Sequence, residues 1–360
     1  MKVALFTLGG TIASTHAAGG VTPQLTGADL LTSVPGLDRA GAELEVHDFR
    51  QVPSSSLTVA DIFGLARAIR DRTAAAAAAA AAAAVAVAAG TGADGVVVSQ
   101  GTDTIEETAF LLDLLYDGDA PVVFTGAMRN PTLAGADGPA NLLAAVTVAA
   151  SPQARGLGCV VVFGDEIHAA RFVQKAHTTS VTAFISPPAG PLGVVVEGRA
   201  VVLTRPGRRP ALPHLRPPRP PRPPQTAGEP GRDVRTGLVT MVLGDDGALL
   251  EAAAGRFDGL VVAGYGAGHV PAAVVDQLGG LAQRIPVVLA SRTGAGMVLA
   301  RTYAYPGSEL DLRDRGLIGA GFLDPLKARL LLHVLLAGGA ARDEIAAAFT
   351  AIAADLAGPG

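Results

Sequence analysis

Two short stretches of this sequence combine residue types that could do chemistry. In Thr7-Leu8-Gly9-Gly10-Thr11-Ile12-Ala13, paired glycines let the backbone turn sharply and present unobstructed N–H groups beside a threonine hydroxyl, a place where an anion or oxyanion could sit. In Ser99-Gln100-Gly101-Thr102-Asp103-Thr104-Ile105-Glu106-Glu107, a run of valines ends in a glycine followed by a hydroxyl and a carboxylate, then opens into a helical pattern. Each stretch also has a plainer reading. Asp103 with Glu106, or Thr104 with Glu107, has the spacing of a capping box at a helix start, and Thr11 could cap a helix after a glycine turn. Their occurrence together, each directly after an apolar run, favours a shared site.

The elements that must position them follow from periodicity. Lys2–Leu8, Glu43–Val52, Gly95–Ser99, Pro121–Phe124 and Cys159–Phe163 read as strands, and Thr58–Ala89, Thr104–Tyr116 and Pro139–Ala149 carry helical spacing. This βαβ rhythm predicts a doubly wound, mostly parallel sheet covered on both faces, whose ligand site lies beyond the carboxyl ends of the strands. From Arg205 to Pro230 the chain holds ten prolines and six arginines and reads as an extended interdomain linker. Beyond it Gly237–Leu243, Gly259–Ala263 and Pro286–Ala290 read as strands, and Pro271–Leu278, Pro325–Leu336 and Arg342–Leu356 as helices. The expected organisation is an α/β fold with a larger N-terminal domain over 1–204, a Pro/Arg-rich linker over 205–233 and a smaller C-terminal α/β domain over 234–360.

Composition narrows the function. The net charge of −4 lacks the broad basic face of a nucleic-acid binder, so no nucleic-acid partner is expected. The longest apolar run, Ala74–Ala89, is nearly all alanine, too weakly hydrophobic for a membrane span and better read as helix extension. Val3-Ala4-Leu5-Phe6 falls far short of a signal peptide's apolar region, and the single cysteine, Cys159, can form neither an internal disulfide nor a multi-thiolate metal site. A cytoplasmic location is the expectation.

Leu8-Gly9-Gly10-Thr11-Ile12-Ala13 and Gln100-Gly101-Thr102-Asp103-Thr104-Ile105-Glu106-Glu107-Thr108-Ala109 closely resemble the two signature motifs of the bacterial-type L-asparaginase family. The resemblance continues through Thr125–Arg129, Ala136–Leu142, Asp165–Ile167, Lys175–Thr179, Gly266–Pro271 and Pro325–Arg329, and so spans both expected domains. Only the alanine run and the Pro/Arg linker look like insertions. The resemblance implies hydrolysis of the side-chain amide of L-asparagine through a covalent acyl-threonine, with no metal or organic cofactor. By motif position Thr11 resembles the nucleophile, and Thr102, Asp103 and Lys175 resemble the second catalytic set. A threonine hydroxyl is a poor nucleophile at its free pKa, so a lysine beside a carboxylate and a second hydroxyl offers a route for its proton. The chain has only three lysines, Lys2, Lys175 and Lys327. Ser54, with Ser55 beside it, matches the position that holds the substrate α-carboxylate, Asp103 would pair with the α-amino group, and backbone N–H groups near Gly10 and Thr102 would supply the oxyanion site.

One departure stands out. The family commonly carries a tyrosine on the segment after the first motif, and here Ser14–Leu25 contains none, its place falling near Gly20 or Val21. Tyr303 or Tyr305 could substitute. Glu309 lies where the family supplies a carboxylate from the neighbouring subunit, which implies a homodimer or homotetramer with shared active sites. Two other readings are a glutamine-using amidohydrolase subunit of a tRNA-dependent amidotransferase and a non-catalytic amino-acid-binding module. A dinucleotide-binding Rossmann protein ranks low, because Leu8-Gly9-Gly10-Thr11 lacks the G-x-G-x-x-G spacing.

Overall fold

The computed structural model describes residues 1–10, 12, 14–17, 20–23, 26–83, 92–187, 189–207, 215 and 233–357. The chain divides into two compact units, Met1–Pro206 and Gly207–Gly360. In the first unit the strands are β1 (Lys2–Thr7), β2 (Ser14–Ala17), β3 (Gly20–Pro23), β4 (Glu43–Asp48), β5 (Gly95–Ser99), β6 (Val122–Thr125), β7 (Cys159–Phe163), β8 (Glu166–Ala169), β9 (Gln174–Lys175), β10 (Phe184–Ile185), β11 (Gly193–Val196) and β12 (Arg199–Val202). Its helices are α1 (Gly27–Thr32), α2 (Val59–Ala83), α3 (Ile105–Leu115) and α4 (Gly138–Ala149).

Eight strands form one sheet in the order β12-β11-β8-β7-β6-β5-β1-β4. β4, β1, β5, β6 and β7 are parallel, while β8, β11 and β12 extend the sheet antiparallel. The parallel part corresponds to the apolar runs read from sequence. All five residues of β5 are buried, as a strand covered on both faces requires. Leu142, Ala145, Val146 and Ala149 of α4 pack with Val97, Val123 and Val160 on one face. Full burial of each such valine contributes about 1.5–3 kcal/mol. α2 begins at a reciprocal cap in which Asp61 N–H donates to Thr58 Oγ1 (3.2 Å) and Thr58 N–H donates to Asp61 Oδ2 (3.0 Å).

Four differences from the sequence reading are physical in origin. The run Glu43–Val52 stops as a strand at Asp48, because Phe49 and Arg50 N–H both turn onto Thr7 O (3.0 Å each). Ser14–Leu25, for which no strand was read, contains β2 and β3, paired antiparallel from Ser14↔Pro23 to Ala17↔Gly20. The antiparallel strands β8, β11 and β12 were not anticipated, since four-residue strands carry little periodic signal. Arg205, expected as the first residue of an extended linker, donates to Arg155 O (3.0 Å) and Gln153 O (2.6 Å). Most of the Pro/Arg segment, and the end of the alanine run, lie outside the described residues.

The second unit holds β13 (Thr236–Thr240), β14 (Gly259–Gly264), β15 (Val287–Ser291) and β16 (Ile318–Gly319), all parallel in that order. Its helices are α5 (Ala248–Ala253), α6 (Val275–Ala282), α7 (Glu309–Asp314), α8 (Pro325–Ala337) and α9 (Arg342–Ala357). The core gathers Leu260, Val262, Leu278, Leu281, Val287 and Leu289. α8 starts with Asp324 accepting from Leu326 and Lys327 N–H (3.0 Å each) and Pro325 at its first position.

Candidate active site

β1 lies between β4 and β5, so the connections leaving β1 and β5 run to opposite sides of the sheet, and the crevice beyond their carboxyl ends is the switch point where α/β sheets bind ligands. The register pairs Thr7 with Ser99, which brings both motifs to this end. Their backbones touch. A Cβ on Gly10 would lie 2.1 Å from Gly101 N, and Gly10 has φ +93°, so neither contact nor conformation admits a side chain. Thr11, the next residue, lies outside the described residues; Ile12, after it, is buried in the core.

Thr102, Asp103 and Lys175 are brought together. Lys175 Nζ is 2.9 Å from Thr102 Oγ1 and 2.6 Å from Asp103 Oδ1. Thr102 is buried, the Lys175 side chain is 15% exposed and that of Asp103 is 69% exposed, so the group runs from the protein interior to solvent. The helix-capping reading of this stretch is not realised: Thr104 occupies the N-cap of α3 without a side-chain capping bond. Instead Thr104 Oγ1 donates to Ser54 O (3.1 Å), and Glu106 Oε2 accepts from Lys175 N–H (3.0 Å).

Ser54 is buried on a short turn after β4, and its Oγ lies 2.7 Å from where a Gly101 Cβ would stand. Ser55, on the same turn, is exposed. Two supporting groups escaped the sequence reading. Buried Gln100 accepts from Thr108 Oγ1 (2.9 Å) and donates to Gly101 O (3.3 Å), bracing the strand end against α3. Asp137 accepts from Met128 and Arg129 N–H (3.0 and 2.8 Å) and from Asn141 Nδ2 (3.1 Å), while Asn141 Oδ1 accepts from Gly164 N–H (3.1 Å), so one cluster ties the loops after β6 and β7 to α4. Both lie in motifs that sequence inspection had singled out, without a stated role.

In the second unit Glu309 does not stand on an open turn. Ser308 caps α7, and Glu309, its first residue, points inward with 0% exposure. Its Oε1 accepts from Thr302 and Tyr303 N–H (2.8 Å each), and Oε2 lies 3.3 Å from His269 Nε2. Burial pushes its pKa up, but the backbone donors of Tyr303 and Thr302 and the His269 contact outweigh this and hold the carboxyl below its usual value. A carboxylate only accepts, so His269 Nε2 donates to it, and Nδ1 lies 2.9 Å from Tyr305 Oη. The groups facing outward are therefore Tyr303 and Tyr305, 42% and 48% exposed.

Residues 2–208 match the family described as "Asparaginase, N-terminal", and residues 235–349 match "Glutaminase/Asparaginase C-terminal domain". This chain belongs to the asparaginase family. An asparaginase-family relative described as a "Probable L-asparaginase", from Deinococcus radiodurans, is 38% identical over 97% of this chain and 97% of its own length. An "L-asparaginase" of Bacillus licheniformis is 33% identical over 93% of this chain and 95% of its own. Among solved structures, one described as a "Probable Cytoplasmic L-asparaginase", from Campylobacter jejuni, superposes with a TM-score of 0.75 at 28% identity, covering 97% of this chain and 99% of that one. Among the described residues of this asparaginase-family chain, no group of three or more His, Cys, Asp or Glu is placed to hold a metal ion, and no helix is long and apolar enough to cross a membrane.

Proposed function

We propose that the chain hydrolyses the side-chain amide of L-asparagine to L-aspartate and ammonia through a covalent acyl-threonine. The observation that carries this reading is Lys175 Nζ between Thr102 Oγ1 and Asp103 Oδ1, at the strand end whose Gly101 meets Gly10 of the first motif. Thr11 Oγ attacks the amide carbon, its proton passing to a neighbouring base, and backbone N–H groups near Gly10 and Thr102 hold the oxyanion. The C–N bond breaks as the leaving nitrogen takes a proton, and ammonia departs. Water, losing its proton through Thr102 to the Lys175 amine, then attacks the ester carbon; the acyl C–Oγ bond breaks as that proton passes to Thr11 Oγ, restoring the hydroxyl and freeing aspartate. Ser54 holds the α-carboxylate and Asp103 the α-ammonium. The names "Probable L-asparaginase", "L-asparaginase" and "Probable Cytoplasmic L-asparaginase" of the three proteins compared above support the same substrate, while other relatives are named "Glutaminase-asparaginase".

The absence of tyrosine from Ser14–Leu25 and the outward Tyr305–His269–Glu309 chain support a homo-oligomer in which one copy's second unit completes another copy's site. In this reading Glu309 acts from behind, fixing His269, and Tyr305 is the group presented. The single buried cysteine supports a cytoplasmic location. Intact-mass measurement during turnover tests the covalent step: a species heavier by asparagine less ammonia should form on the wild type and be missing from Thr11→Ala. An adduct that persists in Thr11→Ala would overturn the assignment of the nucleophile.

A further inference from the structure

The lysine at the centre of this site is tied down twice, and only one tie involves its side chain. β9, which carries Lys175, is a two-residue strand outside the main sheet, paired antiparallel with β10 through Lys175↔Phe184. That hairpin leans on the sheet through the Phe184 ring, 4.8 Å from the ring of Phe163 at the end of β7. The main chain of Lys175 meets the catalytic turn elsewhere: its N–H donates to Glu106 Oε2 at 3.0 Å. Glu106 stands in the first turn of α3, directly after the turn Thr102–Thr104 that holds both side-chain partners of Lys175.

We infer that Glu106 is a positioning residue for the hydrolysis, fixing the Lys175 main chain so that Nζ bridges Thr102 and Asp103. The contacts close a ring: turn to α3, α3 through Glu106 to the Lys175 backbone, and the Lys175 side chain back to the turn. A lysine side chain has several rotatable bonds, so its Nζ is placed only as well as its Cα is placed. An acceptor on the same helix makes Lys175 move with Thr102, whatever the β9–β10 hairpin does. Misplacing a reacting group by about 1 Å costs on the order of 100-fold in rate, which is the size of effect one such bond can control.

The inference rests on the role given to Lys175 above, and the experiment separates the two. Steady-state asparagine hydrolysis by the full-length chain is compared for wild type, Glu106→Ala, Glu106→Ser, Glu106→Gln and Lys175→Met, with kcat normalised to the folded fraction from circular dichroism. Glu106→Ala and Glu106→Ser, which cannot reach Lys175 N–H, should lower kcat on the order of 10- to 100-fold with KM changed less than about threefold. Glu106→Gln keeps an accepting oxygen and should recover most of that loss. Lys175→Met should be slower than any of them. If Lys175→Met is inactive while Glu106→Ala turns over like the wild type, the inference falls and the lysine's role stands. Equal loss in Glu106→Ala and Glu106→Gln, or a loss confined to KM, would also overturn it. Wild-type turnover by Lys175→Met would remove both.

Discussion

Thr102 Oγ1 and Lys175 Nζ lie 2.9 Å apart, and in the proposed mechanism they share a proton transfer, so substitutions should separate their roles. Thr102→Ala and Lys175→Met should each lower kcat by about 10²- to 10⁴-fold, the range a positioned proton carrier contributes. Asp103→Ala should also raise KM if, as proposed, its exposed carboxylate pairs with the substrate ammonium as well as with Lys175. Equal, small effects in all three would favour a purely structural lysine. The glycines behave differently from one another. Gly10→Ala meets Gly101 N at 2.1 Å in a positive-φ conformation, so it should destabilise the fold by at least about 1–3 kcal/mol and abolish turnover. Gly101→Ala, at φ −65°, meets the Ser54 side chain at 2.7 Å (Oγ) and 3.0 Å (Cβ) and Gly10 Cα at 3.3 Å, so it should lower the melting temperature less than Gly10→Ala does and raise KM. A Gly101→Ala protein with unchanged KM would argue against Ser54 as the carboxylate holder. At this scale the sequence was informative about identity and poor about contacts: Thr102, Asp103 and Lys175 were named, but nothing in the spacing of Glu106 distinguished a capping acid from one that binds a backbone 69 residues away.

The main parallel strands were legible because buried strands are written as unbroken valine runs, as in Gly95–Ser99 and Cys159–Phe163, both of which keep those bounds. The antiparallel extension was not, and it holds a titratable group. His168 on β8 is buried, with Nδ1 3.0 Å from Ser186 Oγ and Nε2 3.3 Å from Glu166 Oε2. Burial disfavours its imidazolium and holds its pKa down at about 4 against 6.5. The unfolded chain therefore binds a proton near pH 6.5 that the folded chain binds only near 4. His168 stabilises the fold fully above 6.5, and this contribution falls by up to about 3 kcal/mol as pH drops across that window. Urea unfolding at pH 7 and pH 4.5 should show a larger loss for wild type than for His168→Gln. His47 and His333 are shifted in the same direction, so the difference between the two proteins, not the wild-type slope alone, reads His168. Parallel losses would contradict the assignment.

For the whole molecule, the proposal links chain assembly and chemistry through Tyr305. Its phenol lies within hydrogen-bond distance of His269, whose other nitrogen faces buried Glu309, so removing the hydroxyl leaves the aromatic packing with Tyr303 and His269 in place. Tyr305→Phe should fold normally and lose turnover; mixed with Thr102→Ala under conditions of demonstrated subunit exchange, it should regain activity above the sum of the two. Activity that stays at the sum would count against a shared site. The sequence suggested an oligomer through Glu309 but not its buried setting, since the inward rotation of the first helical residue has no sequence signature. The most direct measurement is ammonia release from L-asparagine, followed side by side for the wild type and Thr102→Ala at matched melting temperature. The account predicts ammonia and aspartate in equal amounts from the wild type and a rate at least about 100-fold lower from the variant. Folded wild-type protein that releases no ammonia, or a variant that keeps pace with it, would contradict it.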